Sequence, residues 1–306
     1  MLNIVGKRYW FFALSLIVIV PGVIALIIWG LPLAIDFTGG SILEVRFESG
    51  SPPAPAEVVG LYDELGILDP LAQSAGTTDI VVRSKLIDET AKAAIMDEME
   101  TRFGGPITLL RFDSVGPSIG IEVAQQAAGA IALAAIFILL YITYAFRGVP
   151  NARRFGIAAI IAMLHDVAVV IGMEAILGHF LGWEVDALFL TALLTVIGFS
   201  VHDSIVVFDR IRENQRIHRS LDFEVLVNHS IVQTLDRSIN TQLTVMLTLL
   251  ALLLFGGVTT RHFVTILLIG VFSGTYSSIF NASPILVVWE NREWHRWFRR
   301  KSPAAA

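Results

Sequence analysis

Cysteine does not occur anywhere in the 306-residue chain, which excludes disulfides, thiolate metal sites and a cysteine nucleophile at once. Charge is scarce as well. Asp, Glu, Lys and Arg make up 16% of the residues against 55% that are hydrophobic, and the mean hydropathy is +0.69. A soluble protein of this length needs far more polar surface to cover its core, so the class is membrane protein. Enzyme signatures are missing too. There is no GxxxxGKS/T, which argues against nucleotide hydrolysis, and no HExxH, GxSxG or clustered metal-ligand spacing. Gly39-Gly40 alone is too short to mean phosphate binding. The expectation is no enzyme, no cofactor and no metal.

Long apolar runs are what the chain has in abundance. Lys7 and Arg8 precede a run from Tyr9 to about Leu33, bracketed by Trp10 and Trp29 as interfacial aromatics. It is longer than the core of a signal peptide and reads as a retained signal-anchor helix. Five more runs cover about Ile121–Tyr144, Phe155–Leu177, Ala187–Phe208, Ser238–Phe255 and Thr265–Trp289. Each is long enough to cross roughly 30 Å of hydrocarbon, the fifth span being close to the minimum. Backbone amides must be satisfied internally there, so all are helices.

Between the first and second spans lies the only long hydrophilic block, Asp36 to about Glu122. It carries 15 acidic and 6 basic residues, which argues against nucleic acid as a partner. Ser41–Glu48, Asp79–Arg83 and Ile107–Phe112 are strand candidates; Ala56–Leu68 and Asp88–Phe103 read as amphipathic helices. A β-α-β-α-β unit of ferredoxin-like type is the economical reading. The predicted fold class is an α-helical polytopic membrane protein with six transmembrane helices and a small α+β extracytoplasmic domain. The expected boundaries are 1–34 for the N-terminal end and first helix, 35–120 for the outer domain, 121–290 for helices two to six, and 291–306 for a basic tail.

Basic residues near span ends set orientation. With the N-terminus inside, the cytoplasmic set is Lys7, Arg8, Arg147, Arg153, Arg154, Arg210, Arg212, Arg216, Arg219, Arg292, Arg296, Arg299, Arg300 and Lys301, while the two short outer loops hold only Arg261. Both termini are thus expected in the cytoplasm and the hydrophilic domain outside.

The stretch Thr195–Asn214, TVIGFSVHDSIVVFDRIREN, holds the most informative residue. Asp203 stands about one and a half turns before Phe208, where the apolar run ends, roughly 7–8 Å inside the hydrophobic boundary. A carboxylate at that depth costs about 2.5–3.5 kcal/mol on insertion scales and marks a functional site by default. Arg237 opens the fifth span, and Asn240, Thr241, Thr244 and Thr248 follow at helical spacing as one polar stripe. The sixth span carries Gly274, Ser277, Ser278 and Asn281; the fourth has Thr191, Thr195, Gly198 and His202 beside Ser200 and Asp203. Two readings stand for Asp203 and Arg237: a structural ion pair, or a proton-exchanging acid tuned by the arginine. The Ser, Thr and Gly faces suit either close helix packing or a wet seam. Asp166 in the third span is a second buried acid, a relay member or a hydrogen-bonded packing residue. Glu174 reads as interfacial. Asp209 and Arg210 lie at the cytoplasmic membrane edge.

IDFTGG (Ile35–Gly40), SVGPSIG (Ser114–Gly120), IGFSVHDSIVVFDRIREN and RSINTQLTVMLTLLALLLFGG (Arg237–Gly257) together resemble the SecD/SecF family of bacterial protein-export membrane proteins. IDFTGG and the fourth-span motif favour its SecF branch over SecD. The resemblance covers nearly the whole chain and makes Asp36, Gly39, Gly40, Asp209 and Arg210 family-motif positions. The family is similar in architecture to one half of the resistance-nodulation-division transporters. The resemblance implies a SecD-type partner completing a twelve-span body in the bacterial inner membrane. It implies use of the proton-motive force to pull or release unfolded preproteins after SecA and SecYEG have driven insertion. The family's relay carboxylate matches Asp203 and its arginine matches Arg237. One departure is Phe199-Ser200-Val201-His202 before the acid, where the family has Tyr-Ser-hydrophobic-Asn; a titratable His202 there implies an altered pH response. An exporter half of the wider superfamily and a purely structural assembly subunit are the alternatives, and sodium is the alternative to the proton.

Overall fold

In the computed structural model, which describes residues 2–148 and 151–293, a 3-10 turn (Val5–Lys7) leads into helix α1 (Arg8–Trp29). Then come a one-turn helix α2 (Ile35–Thr38), strand β1 (Gly40–Phe47), α3 (Pro55–Glu64), β2 (Leu71–Ala75), β3 (Asp79–Ser84), α4 (Glu89–Phe103) and β4 (Ile107–Val115). The rest is helical: α5 (Pro117–Ala145), α6 (Ala152–Leu181), α7 (Ala187–Ile217), α8 (Phe223–Phe255), α9 (Val258–Ser277), a π-helical turn (Ser278–Ala282) and α10 (Ser283–Glu290). Among the described residues, six helical stretches are long and apolar enough to cross a membrane: Val5–Trp29, Pro117–Ala145, Ala152–Leu181, Ala187–Ile217, Phe223–Phe255 and Thr260–Glu290. Arg296, Arg299, Arg300 and Lys301 of the expected basic tail lie outside the described residues.

Two compact units emerge, Leu33–Gly129 and the remainder of the chain. In the first, the strands lie in the order β2-β3-β1-β4, antiparallel throughout. That is the β-α-β-β-α-β arrangement of ferredoxin-like units. The sequence reading had the type but one strand too few. It missed β2, whose LAQSA lacks the β-branched and aromatic residues that mark strands and which pairs only with β3 at the sheet edge. Alternation elsewhere was clean enough to see. Leu43, Val45 and Phe47 of β1 and Ile80 and Val82 of β3 pack on Val58, Leu61 and Tyr62 of α3 and Ile95 and Met99 of α4. Asp88 caps α4 by accepting from the Ala91 N–H at 2.7 Å, satisfying an N-terminal amide that the helix leaves open.

Small residues let the membrane helices approach closely. At the α1–α6 crossing, a Cβ built on Gly22 would sit 2.7 Å from the Gly172 Cα, and the reverse holds. At one end of this unit the start of α1 is tied to α8 and α10. Asn228 accepts from the Ile4 and Val5 N–H groups at 2.8 and 3.2 Å, and Arg8 donates to Glu224 at 3.0 Å and to Glu293 at 2.5 Å. Burial works against the Glu293 charge, but the hydrogen bonds from Arg8 and Tyr9 outweigh it and hold this carboxyl below its usual range. Arg154 of α6 pairs with Glu290 of α10, and Asn214 of α7 donates to Ser230 of α8 at 2.8 Å. At the other end, Pro32 accepts from the Val185 N–H at 2.8 Å, and Trp29 stacks on His179 at 4.1 Å. Helices α6, α7 and α8 therefore alternate in direction. Helix α8 extends beyond the fifth apolar run: it begins at Phe223, behind an Asp222 cap, fifteen residues before Ser238.

Candidate functional site

Asp203 lies on the inward face of α7 and is 2% exposed. That face repeats at three- and four-residue steps through Val196, Ser200, Asp203, Ser204 and Val207, all buried. One donor reaches the carboxylate: Gln242 Nε2 on α8, at 2.5 Å from Oδ2. His202 Nδ1 is 3.9 Å from the other oxygen, but its ring points outward with two thirds of it exposed. Ser200 Oγ, Ser238 Oγ and Gln242 Oε1 are buried without a hydrogen-bond partner. Ser200 is one turn from Asp203 on α7 and Ser238 one turn from Gln242 on α8, so these unsatisfied oxygen atoms lie on the same helix faces as the pair. Buried polar groups of this kind are rare in folded proteins and call for a functional account.

The ion pair weighed between Asp203 and Arg237 is not formed. Arg237 is exposed and makes no ion pair with any described residue. Geometry is the reason: Arg237 and Gln242 are five residues apart, or about 140° around a helix of 3.6 residues per turn, and Gln242 is the one that faces α7. The polar stripe read from the fifth span follows Arg237 outward. Asn240, Thr241, Thr244 and Thr248 are all exposed, each threonine hydroxyl bonding to the carbonyl one turn back. Thr191, Gly198 and His202 of α7 likewise face out. The stripe that does turn inward is Ser230, Thr234, Ser238 and Gln242, buried at four-residue intervals. The four-residue spacing of this stripe is the signal in the sequence that marks the buried face, opposite the one that carries Arg237.

Asp166 is fully buried and well supplied. Ser273 and Ser277 of α9 each donate to it at 2.6 Å, and His165 Nδ1 lies 3.0 Å away. The two serine hydroxyls, with the His165 ring beside them, join α6 to α9 through this carboxylate. Helix α9 is in turn pressed against α7: a Cβ on Gly270 would fall 2.1 Å from Val196 Cγ2, and one on Gly274 3.4 Å from the Ser200 Cα. Asn281, in the π-helical turn, donates to Ser15 of α1 at 2.8 Å. The turn precedes Pro284, which has no N–H to continue the α-helical ladder. Glu174, expected at the membrane interface, is fully buried within the chain and lies 2.9 Å from His262 of α9. Its long reach to a ring eighty-eight residues away had no sequence signal.

Asp209 pairs with Arg212, and Arg210 with Glu213 at 2.5 Å and Gln233 at 2.7 Å; these are helix-surface contacts at the end of α7. Asp36 sits in α2. Gly39 and Gly40 adopt φ of +72° and +131°, backbone that other residues rarely take. A Cβ on Gly39 would lie 2.6 Å from the Pro117 Cα, and one on Gly120 2.8 Å from the Gly39 nitrogen. The two glycine motifs of the sequence, IDFTGG and SVGPSIG, are thus stacked backbone against backbone. Among the described residues there is no cluster of three His, Asp or Glu side chains able to hold a metal.

Comparison with known proteins gives concordant matches. The family described as "Protein export membrane protein SecD/SecF, C-terminal" matches residues 95–292, and "SecD/SecF GG Motif" matches residues 24–50. A "Protein translocase subunit SecF" of Anaerolinea thermophila is 61% identical over 308 residues, covering all of both chains. That of Thermobaculum terrenum is 51% identical over all of this chain and 99% of its own. The "Protein translocase subunit SecDF" of Thermus thermophilus is 38% identical, across 86% of this chain but only 35% of the relative. The crystal structure of a Thermus SecDF, described as a translocon-associated membrane protein, superposes with a TM-score of 0.80 at 34% identity, over 95% of this chain and 39% of that one.

Proposed function

The chain belongs to the SecD/SecF family of protein-export membrane proteins, and from that premise we propose that it draws on the proton-motive force to promote late steps of preprotein export through SecYEG. In this reading it is a multi-pass subunit of the bacterial inner membrane with both termini in the cytoplasm. It acts after SecA-driven insertion on unfolded preproteins at the outer face. The observation that carries the proposal is Asp203: 2% exposed, inside a membrane-spanning helix, held by one amide at 2.5 Å and paired with no Lys or Arg among the described residues. An uncompensated carboxylate there is costly, and binding a proton removes the charge. A proton shifts a conformational equilibrium only through different affinities for the two states. The membrane field adds about 2.3 kcal/mol per charge per 100 mV, enough to bias helices that meet at Gly270 and Gly274.

A SecD-type partner completes the machine. The Thermus relative carries SecD and SecF names on one chain of which this chain matches 35%. The outward polar stripes of α7 and α8, Thr191 and His202 with Arg237, Asn240, Thr241, Thr244 and Thr248, are ill suited to lipid. They are the surface we assign to that partner. Arg237 then meets the partner's acidic groups, or swings to Asp203 as α8 turns. No catalytic chemistry is assigned to the chain.

The test is gradient-dependent preprotein translocation in vesicles that contain this chain, its SecD-type partner, SecYEG and SecA. Asp203→Asn and Arg237→Met are compared with wild type under a proton and under a sodium gradient, with assembly checked by co-purification. Loss of proton-gradient stimulation in both variants, with the complex intact, supports the reading. Full stimulation in Asp203→Asn would reduce the chain to a structural subunit, and stimulation by sodium alone would replace the coupling ion.

A further inference from the structure

We propose that Glu174 and His262 form a second proton-exchanging pair, through which α9 responds to the pH of the aqueous phase at the end of the bundle remote from Arg8. The proposal rests on the proton-driven reading above and extends it to two residues outside the Asp203 site.

The geometry is unusual for a static contact. Glu174 is fully buried; its Oε2 lies 2.9 Å from His262 Nε2, while its Oε1 is buried without any partner. The His262 side chain is 16% exposed, with its ring 4.7 Å from Trp183 and 6.3 Å from Phe189. One member of the pair is therefore enclosed, while the other is partly exposed at the third position of its membrane-spanning stretch, Thr260–Glu290. A buried carboxylate with an unsatisfied oxygen is costly unless it stands beside a cation or binds a proton. An imidazole at this distance can supply either, as a cation or as the donor of a proton. The step is balanced without another reactant: a proton binds Nδ1 from water, and the ring passes its Nε2 proton to Glu174 Oε2.

Other ionisable groups around the pair are few. On α6, His179 is engaged in stacking on Trp29. The connection into α7 brings Glu184 and Asp186, and the Asp186 carboxylate caps α7 by accepting from the Phe189 N–H at 2.7 Å. On α9, Arg261 is adjacent and exposed. From α7 the facing group is the Phe189 ring.

What the pair controls follows from its position. It sits on α6 eight residues beyond Asp166, about 12 Å along the helix, and the same two helices are joined again where Ser273 and Ser277 donate to Asp166. Between those anchors α9 is clamped to α7 through Gly270 and Gly274. A change of protonation at His262 and Glu174 thus acts on the helix that packs against the Asp203 face.

The experiment uses the full chain with its SecD-type partner in lipid. Infrared difference spectra across about pH 5–9 are recorded for wild type, Glu174→Gln, His262→Gln and Asp203→Asn. Glutamine at 262 keeps a donor and cannot titrate. We expect a carboxyl band that titrates together with an imidazole band. It should be absent in Glu174→Gln, displaced in His262→Gln and unchanged in Asp203→Asn. In translocation vesicles, His262→Gln should flatten the dependence on pH at the outer face by about threefold or more, with the complex assembled. A spectrum in which Glu174→Gln removes no titrating band makes the contact a static hydrogen bond and overturns the proposal. So does an unaltered pH profile in His262→Gln. Neither outcome depends on the Asp203→Asn translocation result, which tests the relay itself.

Discussion

Replacing Gly270 by alanine places a methyl carbon 2.1 Å from Val196 Cγ2, 2.9 Å from its Cγ1 and 3.0 Å from its Cβ. Carbon atoms in contact settle at about 3.5–4.0 Å, so the nearest pair is about 1.4 Å too close. Rotating Val196 gives no escape, because a β-branched side chain on a helix has one strongly preferred χ1 and its Cβ is itself crowded. Helix α9 must back away from α7. Overpacking of this kind costs about 1–3 kcal/mol, and the displacement draws Gly274 off Ser200, one turn before Asp203. Gly270→Ala should therefore lose about 1–3 kcal/mol in reversible unfolding of the full chain in bicelles, together with much of its gradient-stimulated translocation. Adding Val196→Ala removes both Cγ atoms and should restore most of each. A Gly270→Ala variant within about 0.5 kcal/mol of wild type, or one that Val196→Ala does not rescue, refutes the tight α7–α9 seam. It also removes the route by which α9 is coupled to the aspartate.

Gln242→Leu takes away the donor to Asp203. A hydrogen bond to a charged group is worth about 1.5–3 kcal/mol, whereas interhelical hydrogen bonds in membranes average about 0.6 kcal/mol. A double-mutant cycle with Asp203→Asn should give a coupling above about 1 kcal/mol, and a value near zero would show that Gln242 does not hold the carboxylate. In the outer domain, the Arg46 guanidinium makes two hydrogen bonds to Asp79, both at 2.8 Å, and holds its carboxyl at about 2, below the usual 3.8. A depressed carboxyl stabilises the fold fully above its unfolded value and loses that contribution as pH falls through the folded one. Arg46→Met should therefore flatten the acid loss of β1 and β3 protection between about pH 4 and pH 2, read by hydrogen exchange. The half-exposed arginine makes the loss at neutral pH small; unchanged acid behaviour would show the bridge to be idle.

Asp203 was legible because an acid inside an apolar run needs no partner to stand out: its cost is set by the surroundings that the run itself declares. The six spans were legible for the same reason, and β1 and β3 by their alternation. Strand β2 was not, since an edge strand with one neighbour is held by its place in the sheet rather than by its own residues. The first fifteen residues of helix α8 lie outside the apolar run because that half is amphipathic and buries only one face, through Leu226, Val227, Ser230 and Thr234.

The residues alone determined that this chain lies in a membrane, that a hydrophilic α+β domain interrupts its helices, and that one carboxylate must be accounted for. Composition and periodicity act locally, so they are written in the chain. Which partner each polar group meets was decided only by the tertiary structure. Gln242 rather than Arg237 faces Asp203, Ser273 and Ser277 rather than a basic residue satisfy Asp166, and Glu174 finds His262 across two helices. The partners of Asp203, of Glu174 and of Asp166, which also has His165 at 3.0 Å, depend on the rotation of each helix about its own axis. That rotation is set by which small residues let backbones touch, Gly22 on Gly172 and Gly270 on Val196, and no single helix carries that information by itself.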